Sequence, residues 1–149
     1  LACSLKRGGL LGGATEGTAS KLYEFGKNLG IAFQLKDDYL DAFGTSEKIG
    51  KQIGGDILAN KKTFLALNAY KQANDEQRRQ LDQLQKSNDV TKIEDVLAIF
   101  RATGTDIACK AAIERYSNQA FTALEETAVV DKRKEPLRLL AAYLLERES

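Results

Sequence analysis

Apolar residues recur along most of this chain at the three- to four-residue interval of an α-helix, and almost no stretch alternates with the two-residue period of a half-buried strand. The pattern predicts helices separated by short polar or glycine-rich breaks. Leu1 to about Lys6 reads as the tail of a helix, which the glycines from Gly8 to Gly17 loosen or break. A long helix follows from Thr18 to about Phe43. Asn60 is the expected N-cap of a helix over 61–72, whose Phe64, Leu65, Leu67 and Tyr70 supply apolar positions, and Asn74 caps a polar helix to about Lys86. Val90, Ile93, Val96, Leu97 and Phe100 keep the helical period up to a stop at Gly104. Another helix extends from Thr105 to about Glu126 with Ile107, Ala111, Tyr116, Ala120 and Leu124 on its apolar side. Pro136 suits the first turn of the last helix, in which Leu137, Leu140, Ala141 and Leu144 recur at i, i+3, i+4 and i+7. These stripes read as core before anything else. The chain is therefore expected to be all-α, with no internal domain boundary across 1–149.

Polar residues depart from this bland pattern at Gly30-Ile31-Ala32-Phe33-Gln34-Leu35-Lys36-Asp37-Asp38-Tyr39-Leu40-Asp41. At about 100° per residue, Gln34, Asp37, Asp38 and Asp41 fall within an arc of roughly 100°. Like charges at this spacing cost about 0.2–0.5 kcal/mol per pair, a sign that a bound cation would reverse. Hard carboxylate oxygens suit Mg²⁺. An acidic face is also what a solvated helix surface presents, so the spacing alone leaves both readings open. Gly26 and Gly30 lie near the same stripe, where each weakens the helix, so something is expected to approach that side closely.

The loop after the helix carries Gly44, Gly50, Lys51, Gly54, Gly55, Asp56, Asn60, Lys61 and Lys62. Glycines let backbone N–H groups face a ligand and lysines supply mobile point charges, a composition that suits phosphate. It is not a Walker A loop: the spacing from Gly44 to Gly50 is one residue too long, Gln52 replaces the Ser or Thr, and no strand precedes it. A flexible loop with solvated lysines has the same composition.

The linked motifs Gly-x-x-Phe-Gln-x-x-Asp-Asp-Tyr-Leu-Asp, Gly50-Lys51, Gly54-x-Asp56-Ile57 and Asn60-Lys61 resemble the second aspartate-rich region of the trans-isoprenyl diphosphate synthases, the farnesyl and geranylgeranyl type. The later helices, including Tyr143-Leu144-Leu145-Glu146-Arg147, resemble that family's C-terminal region. The resemblance implies an antiparallel helical bundle of the isoprenoid synthase type, of which 1–149 is the C-terminal portion. It implies prenyl transfer: an allylic diphosphate ionises with help from Mg²⁺, isopentenyl diphosphate attacks, and a proton is lost. Asp37 is then the foremost Mg²⁺ ligand, with Asp38 and Asp41 contributing directly or through water. Gln34 faces the reacting end of the allylic chain or orients a metal-bound water. Lys51 is the leading contact to the allylic diphosphate and Lys61 a weaker one, since Asp56 can engage it structurally. Lys62 reads as solvated and Phe33 as packing. A homodimer is implied for the full-length protein. A noncatalytic partner subunit and a terpene cyclase are the alternatives.

Relative to the family pattern, the first aspartate-rich motif, the arginines that follow it and the Lys-Thr pair expected shortly before Leu1 are absent from these residues. Leu1 to Lys6 reads as the interior of a helix, so the chain is expected to begin inside a larger protein and to be inactive alone. Composition adds exclusions. The 22 basic and 21 acidic residues nearly cancel with no basic block, which argues against a nucleic-acid partner. No apolar run approaches the about 20 residues of a membrane span, and no secretory signal is present, so a cytoplasmic location is expected. With no histidine, His-based triads and His-containing zinc sites are excluded. Cys3 and Cys109 lack ligand spacing and are expected to be reduced packing residues.

Overall fold

The computed structural model describes residues 1–44 and 53–146, and among them every regular element is a helix. In chain order these are α1 (Ala2–Leu11), α2 (Glu16–Phe43), α3 (Gly55–Leu58), α4 (Phe64–Gln72), α5 (Asp75–Gln85), α6 (Lys92–Ala102), α7 (Thr105–Glu125), a 3₁₀ turn (Asp131–Arg133) and α8 (Glu135–Glu146). The described residues form two compact units, one of residues 1–34 with 112–146, the other of residues 35–44 with 53–111.

The first unit is built around Phe25, Leu29, Ala120, Ala123, Leu124 and Ala141, against which Leu5, Phe121, Leu137, Leu144 and Leu145 pack. Burying such side chains removes apolar surface from water at about 25 cal/mol per Å². Contrary to expectation, α1 continues through Gly8 and Gly9 and stops only at Gly12. The reason is packing: a Cβ on Gly9 would stand 2.7 Å from Leu22 Cδ1. The true break is Gly13, whose φ of 83° an L side chain resists. Gly26 meets the close neighbour expected of it, since a Cβ there would lie 2.9 Å from Ala2 Cα, so α1 rests its backbone on α2. Gly30 does not: a Cβ at that position would meet nothing within 4 Å. Cys3 on α1 is exposed rather than packed.

At the end of α7, the buried Lys134 donates to the Glu125 carbonyl at 2.6 Å, satisfying one of the acceptors a helix leaves open at its C-terminus. Arg138 grips both Glu125 carboxylate oxygens at 2.8 Å and also pairs with Asp131. These bonds hold Glu125 and Asp131 below the ordinary carboxylate range. On α8, Ala141 is buried while Leu140 is exposed, so the apolar face is narrower than its periodicity suggested.

The second unit buries Leu35, Ala42, Leu65, Ala69, Leu81, Ile93, Val96, Leu97, Ile99, Phe100 and Cys109. Thr63, not Asn60, caps α4 by accepting from the Ala66 N–H, and Asn60 sits outside the helix with a φ of 49°. Asn74 caps α5 as expected, completing a reciprocal pair with Gln77. Gly54, at φ 77°, is pressed against Ile93, where a Cβ would approach to 2.8 Å. On α7, Ile107 is 69% exposed and Ala111 is exposed too. Thr105, Cys109 and Ala112 are the buried positions of the first half of α7, while Ala120 and Leu124 in its second half are buried as expected.

Candidate functional site

The long helical register of α2 delivers Asp38 and Asp41 to one wall of a cavity of about 420 Å³ within the second unit. The other walls come from α3, α4, α5, α6 and the turn between α3 and α4. Its interior is apolar, with Leu65, Leu81, Leu84, Val96 and Phe100, and its polar groups include Asp56, Lys61, Lys62, Tyr70 and Lys92. Asp38 is 7% exposed. Asp37, one residue earlier, is exposed and is not part of the cavity wall, as the 100° step between neighbours on a helix requires. Gln34 is exposed on α2, one turn before Asp37 and Asp38, in the first unit. Lys51 lies outside the described residues.

Three acidic residues and one lysine form the polar edge of this cavity. The Asp56 N–H donates to Asp41 Oδ2 at 2.9 Å, tying the acidic helix to the first turn of α3. The Gly54 N–H adds a bond to the Asp41 carbonyl at 2.7 Å. Lys61 donates to the two Asp56 oxygens at 2.9 and 3.2 Å and stands 3.9 Å from Asp38 Oδ1. Burial pushes the Asp41 carboxyl above its ordinary range; the charges of Asp56 and Asp37 act in the same direction, while the Asp56 N–H and Lys61 oppose them. The hydrogen bond to Asp56 raises Lys61, so its ammonium is the form the site holds. Lys62 is exposed.

The donor set fits a hard divalent cation. Asp38 and Asp41 offer carboxylate oxygens, and a cation would supply the opposite charge that burial makes costly to do without. Among the described residues no group of three His, Cys, Asp or Glu side chains is arranged to hold a metal. Mg²⁺ ordinarily needs only one or two protein carboxylates, completing its shell with water and phosphate oxygens.

Two side chains of this region carry more than the sequence assigned them: Tyr70 was read only as an apolar position and Lys92 was not singled out. Tyr70 donates to Asp82 at 2.7 Å, and burial together with that carboxylate pushes its phenol up to about 12. Lys92, 2% exposed, donates to Ser87 O at 2.8 Å, Asn60 Oδ1 at 3.0 Å and Leu58 O at 3.4 Å. A signal for Lys92 does exist in the sequence: a cation as first residue of a helix opposes the helix dipole and calls for compensation. No helix among the described residues is long and apolar enough to cross a membrane.

Residues 1–103 match the family model described as polyprenyl synthetase. The chain is 31% identical over 151 residues to a short chain isoprenyl diphosphate synthase of Methanothermobacter thermautotrophicus, covering 99% of this chain and 45% of that protein. It is 30% identical over 148 residues to heptaprenyl diphosphate synthase component 2 of Geobacillus stearothermophilus, with 99% and 45% covered. Among solved structures, a decaprenyl diphosphate synthase from Rhodobacter capsulatus superposes with a TM-score of 0.86 at 31% identity, covering 99% of this chain and 46% of that one. The chain thus spans less than half the length of these relatives.

Proposed function

The chain belongs to the polyprenyl synthetase family, and from that premise we propose that the full-length protein is a Mg²⁺-dependent prenyltransferase joining isopentenyl diphosphate to an allylic diphosphate. The 149 residues are the C-terminal portion of its isoprenoid synthase domain. The observation that carries the reading is the edge of the second-unit cavity, where Asp38 and Asp41 stand beside the Lys61 ammonium. Carboxylates there suit a cation, and a cation with a lysine suits a diphosphate.

Asp37, Asp38 and Asp41 are the proposed holders of Mg²⁺, which when bound would neutralise charge on the departing diphosphate. Lys51 and Lys61 would bind the same diphosphate as point charges already in place before ionisation. Gln34 would orient the reacting end of the allylic chain or a water near it. The apolar lining would keep water from the reacting carbons. The 149 residues alone are proposed to be inactive, because a second acidic face and further cationic groups must lie in the part of the domain that the relatives possess beyond them. Orientation of two bound reactants is worth about 7–11 kcal/mol of barrier, which one wall cannot supply.

The test is elongation of an allylic diphosphate by radiolabelled isopentenyl diphosphate in the full-length protein, across a Mg²⁺ titration. Asp37→Ala should lower turnover at least about a hundredfold. A folded Asp37→Ala protein with near-normal turnover would remove that residue from the metal site, and a full-length protein without elongation would remove the reading.

A second reading follows from the relatives designated component 2: the protein acts within a two-component synthase. Homodimer formation is the counterpart under the first reading. Measuring mass and activity of the purified full-length protein, with and without a co-expressed partner, separates the two.

A further inference from the structure

Lys92 is almost wholly buried, yet each acceptor of its ammonium among the described residues is a neutral oxygen. Lysine has three N–H donors, and here three oxygens meet them. Their origin is what matters. Leu58 O ends α3, Asn60 Oδ1 comes from the residue just before Lys61, and Ser87 O belongs to the segment between α5 and α6. Asn60 adds a bond of its own, donating from Nδ2 to Gln85 O at 3.0 Å. It does so with φ at 49°, a conformation asparagine tolerates better than most residues. The turn that carries Lys61 is thus gripped by Lys92 and by Gln85 O, while Lys61 itself reaches Asp56 and stands 3.9 Å from Asp38.

We infer that Lys92 is a positioning residue: acting through Asn60, it holds the turn between α3 and α4 so that the Lys61 ammonium is kept in place for a diphosphate. The inference rests on the proposed role of Lys61 as a diphosphate contact and deepens it. A lysine tied at both ends of its turn pre-exists in the geometry it needs, so a bound anion does not have to order it. A purely structural Lys92 would fill the core equally well without any link to the residue preceding Lys61.

The experiment uses the full-length protein with inorganic pyrophosphate and Mg²⁺ as the binding probe, measured by calorimetry, and backbone hydrogen exchange over residues 58–63. Lys92→Met keeps the length of the stem and removes the donors. Asn60→Gly keeps the left-handed backbone, removes both side-chain bonds and changes no charge, so it separates positioning from simple loss of a cation. Each should speed exchange at Lys61 about tenfold or more and weaken pyrophosphate about fivefold or more, and the double variant should be no worse than the weaker single one because both cut one connection. In a Lys61→Ala background, Lys92→Met should cost no further pyrophosphate affinity. Wild-type affinity in Asn60→Gly, or losses from Lys61→Ala and Lys92→Met that multiply, would overturn the inference; if Lys92→Met does not fold, Asn60→Gly with and without Lys61→Ala decides it. Variants that show these effects in a full-length protein whose wild type elongates no prenyl chain would overturn the prenyl-transfer reading and leave the positioning role standing.

Discussion

The backbone N–H of Asp56 donates to Oδ2 of Asp41 at 2.9 Å, so the last carboxylate of the acidic face is also what anchors the first turn of α3. One oxygen of Asp41 is occupied by the fold, and the fold depends on that oxygen. Removing the side chain therefore does two things at once. Asp41→Ala leaves the Asp56 N–H without its acceptor and should cost about 1–2 kcal/mol of stability, read from the denaturant midpoint. Asp41→Asn retains an amide oxygen for that N–H and should stay closer to wild type in stability. If Asp41 also holds Mg²⁺, Asp41→Asn should still need far more Mg²⁺ for half-maximal turnover in the full-length protein. Equal stability of the two variants would sever the structural link.

If Lys51 serves the diphosphate and not the packing, Lys51→Ala should raise the KM for the allylic diphosphate or lower turnover while leaving the melting temperature within experimental error. Lys62, exposed beside Lys61, is the paired control. Small and equal kinetic effects from the two substitutions would place Lys51 among the solvated charges.

Tyr70 sets a high-pH limit on the second unit. Its folded value, about 12, lies above the ordinary 10.0 of a phenol, so the native state holds this proton more tightly than the unfolded chain does. The stability it contributes is whole below the unfolded value and declines as pH rises from there toward the folded one. Tyr70→Phe should thus be less stable than wild type near neutral pH by the loss of the Asp82 bond, and the gap should close with rising pH. Urea midpoints of both proteins along an alkaline pH series check this; a gap that stays constant would show that Tyr70 titrates normally.

Gly26→Ala should destabilise the first unit even though alanine is the better helix former by about 0.8–1.0 kcal/mol. The added Cβ would stand 2.9 Å from Ala2 Cα and 3.1 Å from Ala2 N, and backbone cannot swing aside as a side chain can. Overpacking of this kind costs about 1–3 kcal/mol, which outweighs the gain in propensity. Gly30→Ala is the control: with nothing within 4 Å it should be neutral or stabilising by melting temperature. A stabilised Gly26→Ala would mean that α1 does not hold its place.

Much of the helical architecture was legible in the amino-acid sequence, because helix periodicity and caps are local properties. The span of α2, the cap at Asn74, the stop at Gly104 and the entry of Pro136 into α8 all depend on residues within a turn or two of one another. That Asp38 and Asp41 share a side of α2 was legible for the same reason, since 3.6 residues per turn bring residues three apart close to one another. What local pattern could not settle is which partner each face would meet. Asp37 and Asp38 are neighbours in the chain, yet only Asp38 turns into the cavity. Gly8 and Gly9 looked like a break but stay helical, and at Gly9 α2 packs where a side chain would stand. Asn60 looked like a cap and became a clamp, since its partners Gln85 and Lys92 lie 25 and 32 residues away. Burial of a charge such as Lys92 is decided by three oxygens gathered from two separate segments, and only the folded chain brings them within hydrogen-bonding distance.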